Sequence, residues 1–284
     1  MNTTTINDSP IPIIAAILMG FILLEIACAR FSQPRGSRRD AIIEIIGSGL
    51  LMAVTLPLVT FLSTSAMQHF VPQWKNSLAD LHWMLGLGLF LVLDDMTQYW
   101  WHRLSHKVPF LYSLHRAHHS AAYMSIRIVY RNNSFYYLLM PGLWFCGALI
   151  YMGLAHVYFG YLIVKMLVIF SAHSSVPWDE KLYRIPALRP LMWLVERIIS
   201  TPATHSAHHG LNADDGVTNY KGNFGNLLFF WDVLFGSAKI TRRRPEHYGI
   251  EDMRPVCWKE ELFWPLVRTR PPRNQHQATE ELSK

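Results

Sequence analysis

The stretch HRLSHKVPFLYSLHRAHHS, residues 102–120, carries five imidazoles within one short run. His102 and His106 stand four residues apart, and His115, His118 and His119 repeat at i, i+3 and i+4. A second HxxHH, made of His205, His208 and His209, closes THSAHH further along the chain, and His173 stands alone between them. Residues three and four apart on a helix share one face. Each group can therefore turn two or three ring nitrogens toward a single ion.

Isolated histidines read differently. His69, His82 and His156 are expected to be packed, hydrogen-bonded side chains, and His247 and His276 to be solvated in a polar C-terminal stretch. Imidazole suits zinc, copper, iron and nickel. A closed structural zinc site takes four ligands, so eight or nine histidines imply two ions sharing the set. Redox metals beside a lipid interface point toward dioxygen chemistry. Cys28, Cys146 and Cys257 form no CxxC pair, which removes a cysteine-ligated site and predicts free thiols.

The elements that must position these groups are apolar. The chain has 284 residues, 51% hydrophobic and 16% charged, where soluble domains carry about 25% charged residues. A helix that crosses a bilayer needs about 20 mostly apolar residues. Residues 11–29, 41–63 and 81–101 meet that requirement. The first has no basic start and no small-residue cleavage site, so it reads as a retained span. The run from Phe135 to Ala172 is too long for one span and predicts a helical hairpin turning near Gly153 and His156. The expected fold class is all-α, a polytopic membrane helix bundle of about 4–5 spans with a cytoplasmic histidine-rich cap. Residues 1–80 would hold N-terminal spans, 81–237 the catalytic domain, and 238–284 a polar cytoplasmic tail whose last dozen residues are disordered.

Orientation follows from the first connection, where Arg30, Arg35, Arg38 and Arg39 mark the cytoplasmic side. Counting spans forward then puts every histidine cluster on that same side. Residues 184–200 suit a helix lying in the headgroup plane. The net charge of +6 comes with no basic stripe interleaved with aromatics, so nucleic acid is not an expected partner. The charges fit membrane-flanking positions instead.

The ordered series DMTQYWWHRLSH, LHRAHHS, a lone downstream histidine, and THSAHH followed by NYKGNFGNLLFFWDVLFGS resembles the fatty acid hydroxylase / sterol desaturase superfamily, from about Leu81 to Ser237. The resemblance implies a membrane-bound oxidoreductase with two iron ions, zinc being a possible substitute in purified protein. It implies three ligand boxes: His102 and His106; His115, His118 and His119; His205, His208 and His209. His173 corresponds to the family's intervening histidine, although Ser174 and Ser175 follow it where relatives often carry an asparagine. It also implies outer-shell acids. Asp95, two turns before His102, could accept an imidazole N–H, or else merely end the span beside Asp94. Asn223 and Asp232 are further outer-shell candidates, and Asn219 and Asn223 could instead serve turns.

The implied activity is O2-dependent hydroxylation of an unreactive C–H bond in an apolar lipid, with desaturation on the same scaffold as the alternative. No flavin, nicotinamide or haem signature occurs, so electrons are expected from separate proteins of ferredoxin or cytochrome type. These could dock near Arg242, Arg243 and Arg244, unless that triplet is only a solvated membrane-flanking run. A histidine-rich metal transporter is the competing class, but it would place ligands along a crossing path near the bilayer midplane.

Overall fold

In the computed structural model, which describes residues 10–31 and 36–269, five helical segments run side by side. They are α1 (Ile11–Ala27), α2 (Arg38–Phe70), α3 (83–105) and the two arms of a hairpin. Short helices gather at one end of the bundle: α4 (Pro109–His119), α5 (Ser134–Leu138), α8 (Trp178–Tyr183), α9 (Arg189–Ile198), α10 (Pro202–His208), α11 (Phe230–Leu234) and α12 (Trp258–Phe263). The hairpin arms are α6 (Pro141–Leu149) and α7 (Ala155–His173). No strand occurs among the described residues, only the isolated bridges Ile199–Leu228 and Gly210–Tyr248. The class is all-α as expected.

The predicted hairpin is present, and it turns at Gly153, whose φ of 103° is open to glycine without strain. Its reversal is proved by Asp94. One carboxylate oxygen meets Lys165 at 2.6 Å and Tyr161 at 2.8 Å on α7, while the other lies 2.5 Å from where a Cβ on Gly142 of α6 would stand. Along a straight helix, residues nineteen apart would be about 28 Å from each other, so a single carboxylate could not touch both. Phe90, Cys146, Leu149, Leu154, Val157 and Tyr161 fill the space between α3 and the arms.

The helix directions follow from their end contacts. The start of α2 meets Arg131 and Glu261 beside the histidine boxes, while its far end meets the hairpin turn through the Gln68–Tyr151 bond. The C-terminal end of α1 reaches Ser175, just past His173. All three boxes therefore lie at one end of the bundle. His69, His82 and His156, expected to be packed, are exposed instead on residues flanking the connections at the opposite end.

Arg38–Phe70 and Pro141–His173 are helical stretches long and apolar enough to cross a membrane, and Ile11–Ala27 is a shorter apolar helix. Outward residues such as Leu23, Ile26, Val54, Phe61, Val164 and Leu167 are exposed, which suits a lipid-facing belt. On α9 the usual pattern of a surface helix is inverted. Leu191, Trp193, Leu194 and Ile198 face out, whereas Glu196 is buried against Arg242 and Tyr183. An apolar outer face on a polar cap fits the headgroup plane.

The expected polar tail is not one, as far as Thr269. Val256 and Leu262 are fully buried, Arg39 and Arg116 pair with Glu261, and the backbone N–H groups of Leu211 and Gly249 donate to the carbonyls of His247 and His209. Polar composition suggested a solvated segment because its few apolar residues are the ones that pack inward. Arg242 is tied to Glu196 and Arg244 to two carbonyls, so the basic triplet is largely engaged within the fold. His276, Arg35 and the last dozen residues lie outside the described residues. Cys28, Cys146 and Cys257 are free thiols, as expected.

Asp94 and Lys165 are both almost fully buried, and a buried pair robbed of one member leaves an uncompensated charge. Lys165→Met should cost about 3–5 kcal/mol of stability, read as a lowered unfolding temperature in detergent. Adding Asp94→Leu should return much of that loss. A single variant as stable as the wild type would show that the pair does not hold the helices together.

Candidate metal centre

Each box is delivered by a helix end. The chain turns between Ser105 and Pro109, where proline sits at the first position of α4 and suits its missing N–H. This reversal sets His102 and His106 of α3 against His115 and His119 of α4. The third box rides on α10, whose start is fixed by a Thr201–Thr204 capping box and by Asp179, which accepts from the Ala203 N–H at 2.7 Å. His173 is the last residue of α7.

All nine histidines converge in two groups. His102, His106, His115, His119 and His208 form one, and His118, His173, His205 and His209 the other. Within each group, one ring nitrogen per residue lies within 4.8 Å of all the others. Each HxxHH box is divided between the groups. His118 parts from His115 and His119, and His208 parts from His205 and His209, so neither group could form without both boxes.

The tautomers follow from the outer contacts. Nδ1 of His102 lies 2.7 Å from the Phe224 carbonyl, and Nδ1 of His208 lies 2.7 Å from the Gly222 carbonyl. A carbonyl only accepts, so both nitrogens are N–H donors and both Nε2 atoms carry bare lone pairs. Yet these two Nε2 atoms stand 2.9 Å apart. The second group repeats the arrangement. His118 donates to the Ile128 carbonyl at 3.1 Å and His173 to the Ile169 carbonyl at 2.8 Å, leaving their Nε2 atoms facing at 3.5 Å.

His115 obeys the same logic through a side chain. Tyr137 donates its hydroxyl to the Val129 carbonyl and so accepts from the Asn132 amide. That turns the Asn132 oxygen toward His115 Nδ1 at 2.9 Å, and Nε2 of His115 is again bare, 3.1 Å from that of His119. The buried Nε2 of His106 has no hydrogen-bond partner among the described residues. Facing lone pairs repel unless a cation stands between them, and an outer N–H bond that fixes the tautomer is what metal-bound histidines use. The donor set fits metal ions.

Burial, reinforced by neighbouring imidazoles, holds His106, His115, His118, His119, His205, His208 and His209 well below the ordinary histidine range. They are neutral near pH 7, the form that binds metal. A cleft of about 360 Å³ reaches His106 and His119 from the cap, between Tyr112, Tyr220 and Gly249.

The outer acids differ from expectation. Asp95 touches no imidazole: it accepts from Trp231 Nε1 at 2.8 Å and the Leu228 N–H at 3.2 Å, because Phe224 already occupies the outer nitrogen of His102. Asp232 acts one link further out. It accepts from the Phe224 and Gly225 N–H groups at 2.8 and 2.6 Å, fixing the peptide whose carbonyl orients His102. Asn223 donates to the Thr204 carbonyl at 2.8 Å, beside His205, and takes a φ of 57° with Asn219 bonded to it. It serves turn and box together. Sequence reasoning missed Asn132 and Asp179 and the carbonyls of Phe224, Ile128, Ile169 and Gly222. Backbone acceptors leave no residue signature, although the Asn132–Asn133 pair after the second box was a visible polar signal.

Residues 87–237, more than half of the chain, match the model of the family described as Fatty acid hydroxylase. The curated relatives include alkylglycerol monooxygenases. The Homo sapiens protein is 29% identical over 75% of this chain and 43% of its own length. The Danio rerio protein is 30% identical over 55% of this chain and 30% of its own, and that of Xenopus tropicalis 27% identical over 59% and 32%. The matches thus span less than half of those relatives. No solved structure gives a significant match. With its histidine boxes lying inside the matched segment, the chain belongs to the fatty acid hydroxylase family.

Proposed function

We propose that this chain is a multi-pass membrane oxygenase in which each imidazole group holds one iron, and which hydroxylates an unreactive C–H bond of a lipid. The observation that carries this reading is the facing of bare Nε2 lone pairs within each group. The five imidazoles of the larger group exceed the four ligands of a closed zinc site. Iron bound there would supply the oxygen-activating redox chemistry that no side chain provides. In the balanced reaction one oxygen atom of O2 enters the C–H bond as a hydroxyl. The other leaves as water, with two electrons and two protons from an external donor.

The chain's own residues bind, orient and exclude water. The carbonyls of Phe224, Gly222, Ile128 and Ile169, with Asn132, aim the imidazoles, and burial keeps them neutral. Electrons would come from a separate ferredoxin- or cytochrome-type protein, and the cleft at His106 and His119 opens toward that polar side. Arg38 and Arg39 lie at the histidine end, which under the positive-inside bias makes it cytoplasmic. The relatives' activity makes alkylglycerols the first lipid class to test. Metal transport is disfavoured because both groups sit at one end of the bundle rather than along a crossing path.

The test uses the full chain in lipid nanodiscs, loaded with iron and given an alkylglycerol, labelled dioxygen and a reductant. The product should gain one labelled oxygen atom. Loss of two hydrogens instead would assign a desaturase, and an iron-loaded protein inert toward every lipid class would contradict the reading. His208→Ala and His118→Ala, one from each group, should each lower bound iron and cut turnover by more than the roughly 10–100-fold typical of outer-shell changes. Variants with full metal and full turnover would remove these residues from the centre.

The depressed imidazoles also make a pH prediction for metal-free protein. Folded imidazoles stay neutral, while those of the unfolded chain take up protons below about 6.5. The unfolded state then binds more protons, so stability present above that value falls as pH drops through it. Thermal unfolding at about pH 8 and about pH 5 should show a lower transition in acid. An unchanged transition would mean the imidazoles are not buried neutral.

A further inference from the structure

Glu25 is a carboxylate in the last turn of the apolar helix α1. Its neighbours Leu23, Leu24 and Ile26 are exposed, yet Glu25 is fully buried. An ionisable group in such a helix is expensive, and is kept where it has a specific partner or task. One oxygen accepts from the Ser175 N–H at 2.8 Å and the Ile126 N–H at 3.0 Å, and the other from the Ser125 hydroxyl at 2.7 Å.

Those partners belong to two turns. Ser174 and Ser175 directly follow His173, and the turn at Ser125–Ile128 carries the carbonyl that takes the outer N–H of His118. Glu25 therefore fastens together the two turns that aim His118 and His173, both members of the four-imidazole group. The turn after His173 is held from the other side as well. Arg244 donates to the Ser174 carbonyl at 2.9 Å and to that of Ser175 at 2.8 Å, and the exposed Arg30 reaches the Ser175 carbonyl at 3.2 Å. Charge-assisted bonds of this kind are the stronger and more geometrically demanding ones. Glu25, Arg30 and Arg244 all lie outside residues 87–237.

We propose that Glu25 and Arg244 are positioning residues for the four-imidazole group, a clamp on the His173 turn supplied from both flanks of residues 87–237 rather than from within them. The proposal rests on the metal-centre reading above. It predicts a selective defect, because the outer acceptors seen for the five-imidazole group, Phe224, Gly222 and Asn132, lie on neither of the turns that Glu25 and Arg244 hold.

The experiment counts iron per chain in the 284-residue chain in nanodiscs, with helix content read by circular dichroism. Wild type should hold two irons. Glu25→Gln and Arg244→Met should hold one, with unchanged helix content and with affinity for the second iron lowered about 10–100-fold. Arg244→Lys, which keeps a cation and its donors, should restore the second iron. Adding His208→Ala to Glu25→Gln should remove the remaining iron, whereas adding His205→Ala should not. A clamp variant that keeps both irons at wild-type affinity overturns the proposal. So does one that keeps its helix content but loses both irons, because the defect would then not be selective. If Glu25→Gln fails to fold, Arg244→Met decides. A wild type without two irons overturns the metal-centre reading itself, and this inference with it.

Discussion

Nine neutral imidazoles aimed inward at one end of a helix bundle repel one another, and the rest of the fold is arranged to keep them there. Each bare Nε2 exists because its ring's other nitrogen is committed to an acceptor, four times a backbone carbonyl and once Asn132. Those carbonyls are fixed in turn. Asp232 sets the Phe224 peptide, Glu25 the turn before Ile128, and Asp179 the start of α10. The buried acids of this chain thus act at one remove, on the backbone that orients the rings. This differs from a centre whose imidazoles donate directly to carboxylates.

The membrane-facing half obeys the same economy. α3 carries His102 and α7 carries His173, and the Asp94–Lys165 pair locks these two helices in register. Adjacent on a widened turn at Leu91–Met96, Asp94 and Asp95 point to different neighbours, one toward the hairpin and one toward Trp231 of α11. On the proposed membrane reading, the exposed apolar residues of α1, α2 and α7, with the outward apolar face of α9, would put the centre close to where hydrocarbon ends.

Much of this was legible in the residues. Three boxes could be read because helical spacing converts directly into shared faces, and the hairpin because Gly153 interrupts an apolar run of excessive length. The division of each HxxHH between two groups was not legible, since it depends on how α4 and α10 face each other. Of the two readings open for Asp95, the bond to His102 is not made: helical phase alone puts it over that ring, whereas the Phe224 carbonyl arrives from a distant loop. The residues after Gly236 looked like a tail because average polarity hides a few inward anchors such as Val256 and Leu262. His69, His82 and His156 failed the rule for lone histidines because they lie near the connections at the far end, where there is no interior to enter.

The central claim is that two metal ions are held by imidazole alone. X-ray absorption at the iron edge of the iron-loaded full chain tests it most directly. Two irons per chain are expected, both with nitrogen neighbours from the protein and with the more distant scattering of imidazole rings. Sulfur ligation, or a single iron, would contradict it.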